Sequence, residues 1–196
     1  IITLVKNYKC NMKDKNFINS ALKVIEIESK AVKSLSNQIQ SDFDDLCTKI
    51  LDTKGKLILM GIGKSGHIAQ KISATLSSTG TSSFFIHPTE AAHGDLGMIA
   101  KDDAVLIFSN SGETKEVTEI LPALKRMTSD IFSITGNENS SIAKASSVHL
   151  KVHVEKEACP HDLAPTSSTT ASMVIGDALA ISLIEEKKFS SEDFAK

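Results

Sequence analysis

Residues suited to binding an anion are concentrated in three short stretches, each at a predicted turn into a helix. Glycines let the backbone come close to a ligand, and hydroxyl groups together with the free N–H groups of a helix N-terminus hold a phosphate dianion without an arginine. The stretch 109–114 places three hydroxyl residues around a glycine, and the stretch 166–170 consists entirely of hydroxyl residues. We expect these two stretches to form two walls of one phosphate pocket, near a glycine-rich turn at 61–66. The candidate binding residues are Ser65, Ser109, Asn110, Ser111, Thr114, Thr166, Ser167 and Ser168.

The glycine-rich turn also satisfies the GxGxxG spacing of a dinucleotide site. That fingerprint needs an acidic residue at the end of the second strand, about 20 residues on, whereas His87 and Pro88 stand there and Glu90 comes late. The adjacent lysine and serine of the turn are typical of a P-loop, but its leading glycine would fall on Ile58. Both nucleotide interpretations are therefore disfavoured. Ordinary helix capping explains one hydroxyl of the stretch 109–114 well and three poorly.

Candidate acid–base groups surround these turns. The loop 87–95 holds His87 and His93 together with two carboxylates, and two histidines in one loop beside the edge of a sheet favour a function. Glu116 lies in the first turn of a predicted helix, where the helix dipole alone would also favour a carboxylate. Glu157 follows the last predicted strand within a run of charges, and the residues alone favour a solvated charge cluster there.

The spacing of apolar residues predicts the elements that position these groups. Apolar residues step by three or four from 15 to 52, which predicts a helical segment divided near Ser41, where Ser41 and Asp44 resemble a capping signal. Beyond Gly55, short apolar runs alternate with helical stretches, as in a parallel sheet covered on both faces. Ligands bind at the carboxyl ends of the strands of such a sheet. The predicted strands are 57–60, 83–86, 104–108, 131–134 and 148–152, and the predicted helices are 65–78, 114–127, 142–145 and 168–186.

The composition excludes several classes of protein. With 22 Lys+Arg against 24 Asp+Glu in 196 residues, no tryptophan and 5% aromatic residues, the chain lacks the basic surface and the stacking platforms of a nucleic-acid-binding protein. It has no run of about 18 apolar residues, so we expect no membrane span. Its three cysteines, Cys10, Cys47 and Cys159, are too widely spaced for a disulfide framework, so we expect reduced thiols and a cytoplasmic protein.

Several motifs together resemble the D-arabinose 5-phosphate isomerases of the sugar isomerase (SIS) superfamily. The serine-rich stretch is common to all SIS domains, whereas the histidine loop and the Cys159-Pro160 stretch that leads into 166–170 single out this branch. The resemblance covers the chain from about residue 16 to residue 195. The motifs are GIGKSGH at 61–67, HPTEAAHGDLG at 87–97, SNSGET at 109–114 and KEACP at 156–160, followed by LAPTSSTT at 163–170.

The resemblance implies an α/β fold: a three-layer αβα sandwich of the flavodoxin-like type with a five-stranded parallel sheet, preceded by N-terminal helices. We expect one structural domain with two parts: a helical segment at 1–54, which packs on or between SIS domains, and the SIS domain at 55–196. The implied reaction interconverts D-arabinose 5-phosphate and D-ribulose 5-phosphate through an enediol and feeds Kdo synthesis for lipopolysaccharide. The resemblance also implies no organic cofactor, no required metal, inhibition by zinc, and a homotetramer with shared active sites. The long amphipathic segment before Gly55 separately favours association through helices.

Four catalytic positions are implied by the resemblance. Lys64, Glu116 and Glu157 match the family's catalytic lysine and its two glutamates, and His93 matches a position that contacts the substrate. Either Glu116 or Glu157 could be the base, Lys64 could hold the enediolate, and His93 could open the sugar ring or shuttle protons. This assignment predicts that Glu157→Gln abolishes isomerase activity while the phosphosugar still binds, and turnover like that of the wild type in this variant would contradict it.

The resemblance also implies substrate contacts at Gly80 and Thr81, and a contact to both substrate and inhibitory zinc at His87. Two departures from the family pattern are present. Thr89 stands where the family usually has glycine, and the family's further catalytic histidine would lie just beyond Lys196. Many relatives continue into CBS domains, and the chain begins without methionine, so we expect an isomerase domain trimmed from a longer protein.

Two alternatives share the same fold. A non-catalytic SIS sensor would bind a phosphosugar through the same hydroxyl-rich turns, but it would not need Lys64, Glu116 and Glu157 together. Another SIS enzyme, such as a phosphoheptose or hexulose-phosphate isomerase, is disfavoured by the loop 90–95. Formation of ribulose 5-phosphate separates an isomerase from a sensor, and a panel of substrates separates the isomerases.

Overall fold

Five parallel strands form one sheet. In the computed structural model, which describes residues 16–128 and 130–194, the strands are β1 (Leu57–Gly61), β2 (Ser83–Phe85), β3 (Ala104–Ser109), β4 (Ile131–Thr135) and β5 (Val148–Lys151). Their order is β2-β1-β3-β4-β5, and every neighbouring pair is parallel. The direction of winding reverses between β1 and β3, which makes the carboxyl ends of these two strands the topological switch point of the sheet. Cys10 and Lys196 lie outside the described residues.

Helices cover both faces of the sheet, so the predicted three-layer αβα sandwich is confirmed. The helices are α1 (Phe17–Ser34), α2 (Ser41–Asp52), α3 (Gly63–Ser78), α4 (Pro88–Ala92), α5 (Lys115–Thr118), α6 (Leu121–Met127), α7 (Ser141–Ala145), α8 (Ser167–Lys187) and α9 (Ser191–Phe194). Short 3₁₀ turns follow α1 and α4 at Leu35–Asn37 and Asp95–Met98. The core places α2, α3 and α8 on one face and α4 to α7 on the other, while α1 lies against α8.

The alternation of side chains along each strand divides the core in two. Leu59 and Leu106 point toward α2, α3 and α8, whereas their neighbours Met60 and Ile107 point toward α4 to α7. All four are fully buried. Because both faces of the sheet are covered, the strands are continuous apolar runs, and this is why short apolar runs in the sequence located them correctly.

One predicted helix, at 114–127, is divided in the structure into α5 and α6. The cause is Pro122, the second residue of α6, which has no N–H to donate to the carbonyl of Thr118 and therefore interrupts the helix. The prediction of a single helix is wrong here. The break leaves α5 as a short helix that begins directly after the serine-rich stretch 109–114.

Two other local predictions differ from the structure in detail. The loop 87–95 contains the short helix α4, which Pro88 begins at its first position, where the missing N–H costs nothing. The division of the N-terminal helical segment at Ser41 is confirmed. The capping signal is not, because Gln40 precedes α2 and no side-chain capping bond is formed.

The two longest helices on the shared face, α3 and α8, lie in direct contact. A Cβ atom at Gly176 would come within 2.5 Å of Ile72 Cγ1, so the backbone of α8 approaches the α3 side chain as closely as glycine allows. Lys71 and Asp177 form an ion pair next to this contact. Ile72 and Gly176 are each the tenth residue of their helix, and both helices begin at the carboxyl edge of the sheet. Their first turns therefore lie side by side at that edge.

By length and composition alone, α8 is apolar enough to cross a membrane. Its buried residues, however, belong to the core that covers the sheet, among them Ile175, Leu179 and Leu183. A mostly apolar helix that faces a sheet on one side and α1 and α3 on the other passes the same test. We therefore describe α8 as a core helix.

Candidate functional site

The serine-rich turn after β3 is a compact structure with hydroxyl groups on its inner side. Ser109 Oγ and Thr114 Oγ1 lie 2.8 Å apart in a hydrogen bond, and the N–H of Gly112 donates to Ser109 Oγ at 3.1 Å. The turn requires glycine at position 112, where φ is +67°. The remaining predicted residues of the turn, Asn110 and Ser111, are exposed. The predicted grouping of these residues around one glycine is therefore present.

A second turn, between β4 and α7, is hydrogen-bonded to the serine-rich turn. The N–H of Gly136 donates to the carbonyl of Asn110 at 2.9 Å, and the N–H of Ile142 donates to the carbonyl of Gly112 at 3.2 Å. The N–H of Ser141 donates to Glu113 Oε1 at 2.7 Å, and this bond holds the pKa of Glu113 below its ordinary value. These bonds fix the turn before any ligand arrives.

The glycine-rich turn after β1 lies next to the serine-rich turn at the switch point of the sheet. The last residue of β1, Gly61, is in register with Phe108, one residue before the end of β3. Gly63 adopts φ +57° at the first position of α3, and a Cβ atom there would meet nothing within 4 Å. The turn is thus an open concavity, and the N-terminus of α3 faces it with its free N–H groups.

Lys64 is the second residue of α3 and is exposed. A cation at this end of a helix is unfavourable, because the helix dipole places positive charge there. Lys64 makes no hydrogen bond or ion pair within the described part of the chain. A cation held at a positive helix end beside hydroxyl groups indicates an anionic ligand that binds both. Ser65 follows it in the same turn, half-buried.

The histidine loop lies at the same edge, after β2. His87 precedes α4 and its Nδ1 accepts the N–H of Thr89 at 3.3 Å, a bond for which glycine is not needed at position 89. The His87 ring meets Phe85 edge to face, with ring centroids 6.3 Å apart, and Phe85 Cζ would lie 3.7 Å from a Cβ atom placed on Gly66. This chain of contacts brings His87 toward the glycine-rich turn. His93 ends α4 and is exposed.

Glu116 lies on α5, which packs against α4. It is exposed, in the first turn of the short helix that begins after Thr114. The structure therefore brings the serine-rich turn, Glu116 and the histidine loop to one side of the sheet edge. Glu116 makes no hydrogen bond or ion pair with any residue that the structure describes.

Glu157 is bound to the start of α8. Its Oε2 accepts the N–H of Thr166 at 2.7 Å, the hydroxyl of Thr166 at 2.9 Å and the N–H of Ser168 at 3.2 Å. Partial burial raises the pKa of Glu157. The neighbouring Ser168 hydroxyl and the Thr166 donors together lower this pKa by more than burial raises it, so it lies below the ordinary value. The solvated charge cluster that the residues alone favoured does not describe this carboxylate.

Two hydroxyl groups at the start of α8 are buried. Ser167 and Ser168 are 0% and 2% exposed; Ser167 Oγ has no hydrogen-bond partner, and Ser168 Oγ has only the Glu157 carboxylate beside it, outside regular hydrogen-bond geometry. An unsatisfied buried hydroxyl costs roughly 1–3 kcal/mol, which a ligand oxygen would recover. Because the first turns of α3 and α8 lie side by side, these hydroxyls belong to the same edge as Lys64.

Gly80 and Thr81 lie at the opposite edge of the sheet. They follow the end of α3 and precede β2, so the whole length of α3 separates them from the glycine-rich turn. Lys187 Nζ donates to the carbonyl of Gly80 at 3.0 Å and to Thr81 Oγ1 at 2.8 Å, and the ring of Phe189 covers Gly80. Within one chain these two residues are not brought together with the other candidates.

The geometry of His87 bears on the expected zinc contact. Its Nδ1 is used as an acceptor, which leaves Nε2 as the nitrogen that carries the proton in the neutral ring. No group of three or more His, Cys, Asp or Glu side chains that could hold a metal occurs among residues 16–128 and 130–194. The residues described in one chain thus form no complete zinc site around His87.

Sequence reasoning missed two residues that hold the candidate groups in place, Asp162 and Lys187. Asp162 Oδ1 accepts the N–H of Glu157 at 2.7 Å, and its backbone has φ +54°. The available signal was the turn chemistry of Pro160 and Asp162 in an irregular stretch. Nothing in the local sequence identifies Lys187, because it meets Gly80 across the fold.

Two grooves beside α1 lie away from the candidate residues. One of about 300 Å³ runs between α1 and residues 155–156, and another of about 620 Å³ lies between the end of α1 and the loop after β5. None of the predicted site residues lines either groove. The candidate residues instead share an open edge of the sheet. The site is assigned to this edge because neither groove contains a comparable set of hydroxyl and acid–base groups.

Comparison with known proteins adds to this geometry. The model of the SIS domain family matches residues 49–182. The chain is 54% identical over 180 residues to arabinose 5-phosphate isomerase KdsD of Pseudomonas aeruginosa, and 51% identical over 180 residues to that of Escherichia coli K12. Each of these alignments covers 92% of this chain and 55% of the relative. The chain therefore spans about half the length of the curated relatives it matches.

Among solved structures, the chain is similar to protein c3406 of E. coli CFT073 in complex with arabinose 5-phosphate. The TM-score is 0.90 and the sequence identity 43%. The superposition covers 94% of this chain and 98% of that one.

Proposed function

The chain belongs to the SIS domain family, and from this premise we propose that it interconverts D-arabinose 5-phosphate and D-ribulose 5-phosphate. The observation that carries the proposal is the combination, at one sheet edge, of hydroxyl-rich turns with Lys64, Glu116 and Glu157. A sensor that only binds a phosphosugar needs the turns but not the three charged groups. Support also comes from the curated relatives and from the solved arabinose 5-phosphate complex, which are 43–54% identical to this chain over more than nine tenths of its length.

We assign phosphate binding to the serine-rich and glycine-rich turns. The hydroxyl groups of Ser109, Ser111 and Thr114 supply donors on a turn that its own hydrogen bonds hold in place, and Ser65 adds a hydroxyl from the first turn of α3. The N-terminus of α3 adds free N–H groups and a positive dipole. The net charge of the chain is −2, so attraction of an anionic substrate must come from these local groups.

The proposed chemistry is a proton transfer between neighbouring carbons. A base removes the proton from C2 of the open-chain aldose, and the electron pair of that bond forms an enediolate. The enediolate oxygen on C1 takes a proton, the C2 hydroxyl gives one up, and a proton returns at C1. The two protons lost from C2 and its oxygen are thus regained at C1 and its oxygen, and aldose and ketose have the same composition. Glu116 and Glu157 are the candidate bases, Lys64 stabilises the enediolate, and His93 opens the ring or moves protons between the oxygens.

No organic cofactor and no required metal enters this proposal, since the reaction needs neither an external oxidant nor an external reductant. We propose that zinc inhibits the isomerase by binding the His87 side chain, together with further ligands that the described part of one chain does not supply. We place the reaction in the cytoplasm, at the first step of Kdo and lipopolysaccharide synthesis. Cys47 and Cys159 are free thiols, which agrees with a reducing compartment.

We also propose a homotetramer with shared active sites. Helix α1 carries an exposed apolar stripe of Ile18, Leu22 and Ile25, while Ala31 is its only buried residue among those described. Gly80 and Thr81 lie far from the other candidates within one chain, so a second copy is needed to bring them to a site. Sedimentation equilibrium that finds only monomer at micromolar concentration would contradict this arrangement.

A substrate panel tests the proposed activity. The protein is incubated with D-arabinose 5-phosphate, sedoheptulose 7-phosphate and a hexulose 6-phosphate, and the products are identified by NMR. We expect conversion of the first substrate alone. Binding of D-arabinose 5-phosphate without turnover identifies a sensor, and turnover of another substrate identifies a different SIS isomerase.

A further inference from the structure

The carboxylate of Glu157 is already fully used as a hydrogen-bond acceptor at one oxygen. Three donors converge on Oε2, two from Thr166 at 2.7 and 2.9 Å and one from the N–H of Ser168 at 3.2 Å. A general base must receive a proton during each turnover. A proton on Oε2 would displace these donors and leave N–H groups at the start of α8 without partners. A proton on Oε1 would keep the three bonds but weaken them, because a neutral carboxyl oxygen is a poorer acceptor than a carboxylate oxygen.

The bonds around Glu157 form a closed structure. The Thr166 hydroxyl donates to Glu157 and accepts the N–H of Ala158 at 2.8 Å. The N–H of Glu157 donates to Asp162 Oδ1 at 2.7 Å, and the N–H of Asp162 donates to the carbonyl of Cys159 at 2.9 Å. We call the set Glu157, Asp162 and Thr166 the α8 clasp. It fastens the middle of the loop between β5 and α8, at 157–162, to the residue that precedes α8.

Glu116 has the opposite environment. It is exposed on α5 and makes no hydrogen bond or ion pair among the residues that the structure describes. Gaining a proton there breaks no bond within the chain. Of the two carboxylates, Glu116 is therefore the one that can change its protonation state without disturbing the fold.

We infer that Glu157 is a positioning residue, which fixes the first turn of α8 and thereby aims the Ser167 and Ser168 hydroxyls at the substrate, and that it does not take the proton from carbon. The inference rests on the proposed isomerase function and adds Asp162 and Thr166 as positioning partners. The Ser167 hydroxyl is buried without a partner, and the buried Ser168 hydroxyl has only the Glu157 carboxylate beside it. Their use as donors depends on the backbone of this turn, which the clasp holds.

The test compares two substitutions at one position. In Glu157→Gln the amide oxygen replaces Oε2 as acceptor for the three donors but cannot act as a base, whereas Glu157→Ala removes the acceptor. We expect the Gln variant to stay within about tenfold of wild-type kcat with the same acid limb in its pH profile, and the Ala variant to lose ~10²-fold through misplacement. A Gln variant as inactive as the Ala variant overturns the inference. Both variants lack a base, and only the Gln variant keeps an acceptor, so equal inactivity would mean that the base is what matters. Glu186→Gln, an exposed charge on α8, is the matched control.

Hydrogen exchange supplies a readout that does not depend on activity. The amides of Thr166 and Ser168 should keep their wild-type protection in Glu157→Gln and lose it in Glu157→Ala. Unchanged protection in the Ala variant contradicts the clasp. If Glu157→Ala does not fold, Asp162→Ala loosens the loop while keeping the carboxylate, and it should lower kcat without moving the acid limb. An inactive wild-type protein with intact protection refutes the proposed function and leaves the clasp standing.

Discussion

Gly112 offers the sharpest test of how the serine-rich turn is built. Its φ of +67° lies in the left-handed region, which costs an L-residue about 1–2 kcal/mol. A Cβ atom there would also collide with the side chain of Ser140, which is fully buried and caps α7 by accepting the N–H of Ala143 at 3.3 Å. Displacing that cap costs about 1 kcal/mol more. Gly112→Ala should therefore lose about 2–3 kcal/mol.

Thermal unfolding followed by circular dichroism measures this loss. For a domain of this size each kcal/mol corresponds to about 2–4 °C, so Tm should fall by roughly 5–10 °C. Two other glycines separate the causes. Gly63→Ala carries only the conformational cost, since φ is +57° and the space is open, and should lose about 1 kcal/mol. Gly97→Ala has neither cost and should change stability by less than about 0.5 kcal/mol. A Gly112→Ala protein as stable as Gly97→Ala refutes the reasoning.

Three further predictions concern other parts of the fold. Asp103→Ala removes the acceptor for the N–H groups of Lys56 and Ala100, which lie at 2.7 and 2.8 Å. The free energy of unfolding in urea should fall by about 2–3 kcal/mol, and Asp103→Asn should lose less. Equal stability of the wild type and the Ala variant contradicts this. Lys187→Met removes the hydrogen bonds to Gly80 and Thr81 and should raise KM for the phosphosugar with little change in kcat. Lys187→Arg keeps a donor and should raise KM less. An unchanged KM in Lys187→Met would show that Gly80 and Thr81 do not belong to the site. The native pKa of Glu157 is lowered, so the carboxylate stabilises the fold fully above its ordinary pKa of ~4.3, and this stabilisation is lost as the pH falls through the native pKa. Tm should therefore fall less steeply with acidification in Glu157→Gln than in the wild type, and equal slopes contradict this.

The sheet could be predicted because its signals are local. The apolar runs from 57 to 60 and from 104 to 108 identify buried strands by themselves, and the glycine and serine turns after them mark where the helices begin. Pro122 was equally visible, and the single helix at 114–127 was wrong because the apolar spacing was given more weight than the proline. Local signals therefore sufficed for the order and type of most elements.

The arrangement of the site depends on contacts that the sequence does not contain. Glu157 and Thr166 meet across an irregular loop, so neither residue type nor spacing indicated that the carboxylate was an acceptor for the start of α8. The separation of Gly80 from Lys64 depends on the whole length of α3. Family resemblance supplied candidate residues, and the fold determined which of them lie together in one chain.

The central claim is that the edge holding Lys64 and Glu116 catalyses an isomerisation and does not only bind a phosphosugar. The most direct measurement follows D-arabinose 5-phosphate by NMR with the wild-type protein and with Glu116→Gln. We predict that the wild type forms D-ribulose 5-phosphate and that the variant still binds the substrate but converts it ~10²–10⁴-fold more slowly. Saturable binding by the wild type with no ribulose 5-phosphate formed, or equal rates in the two proteins, would contradict the account.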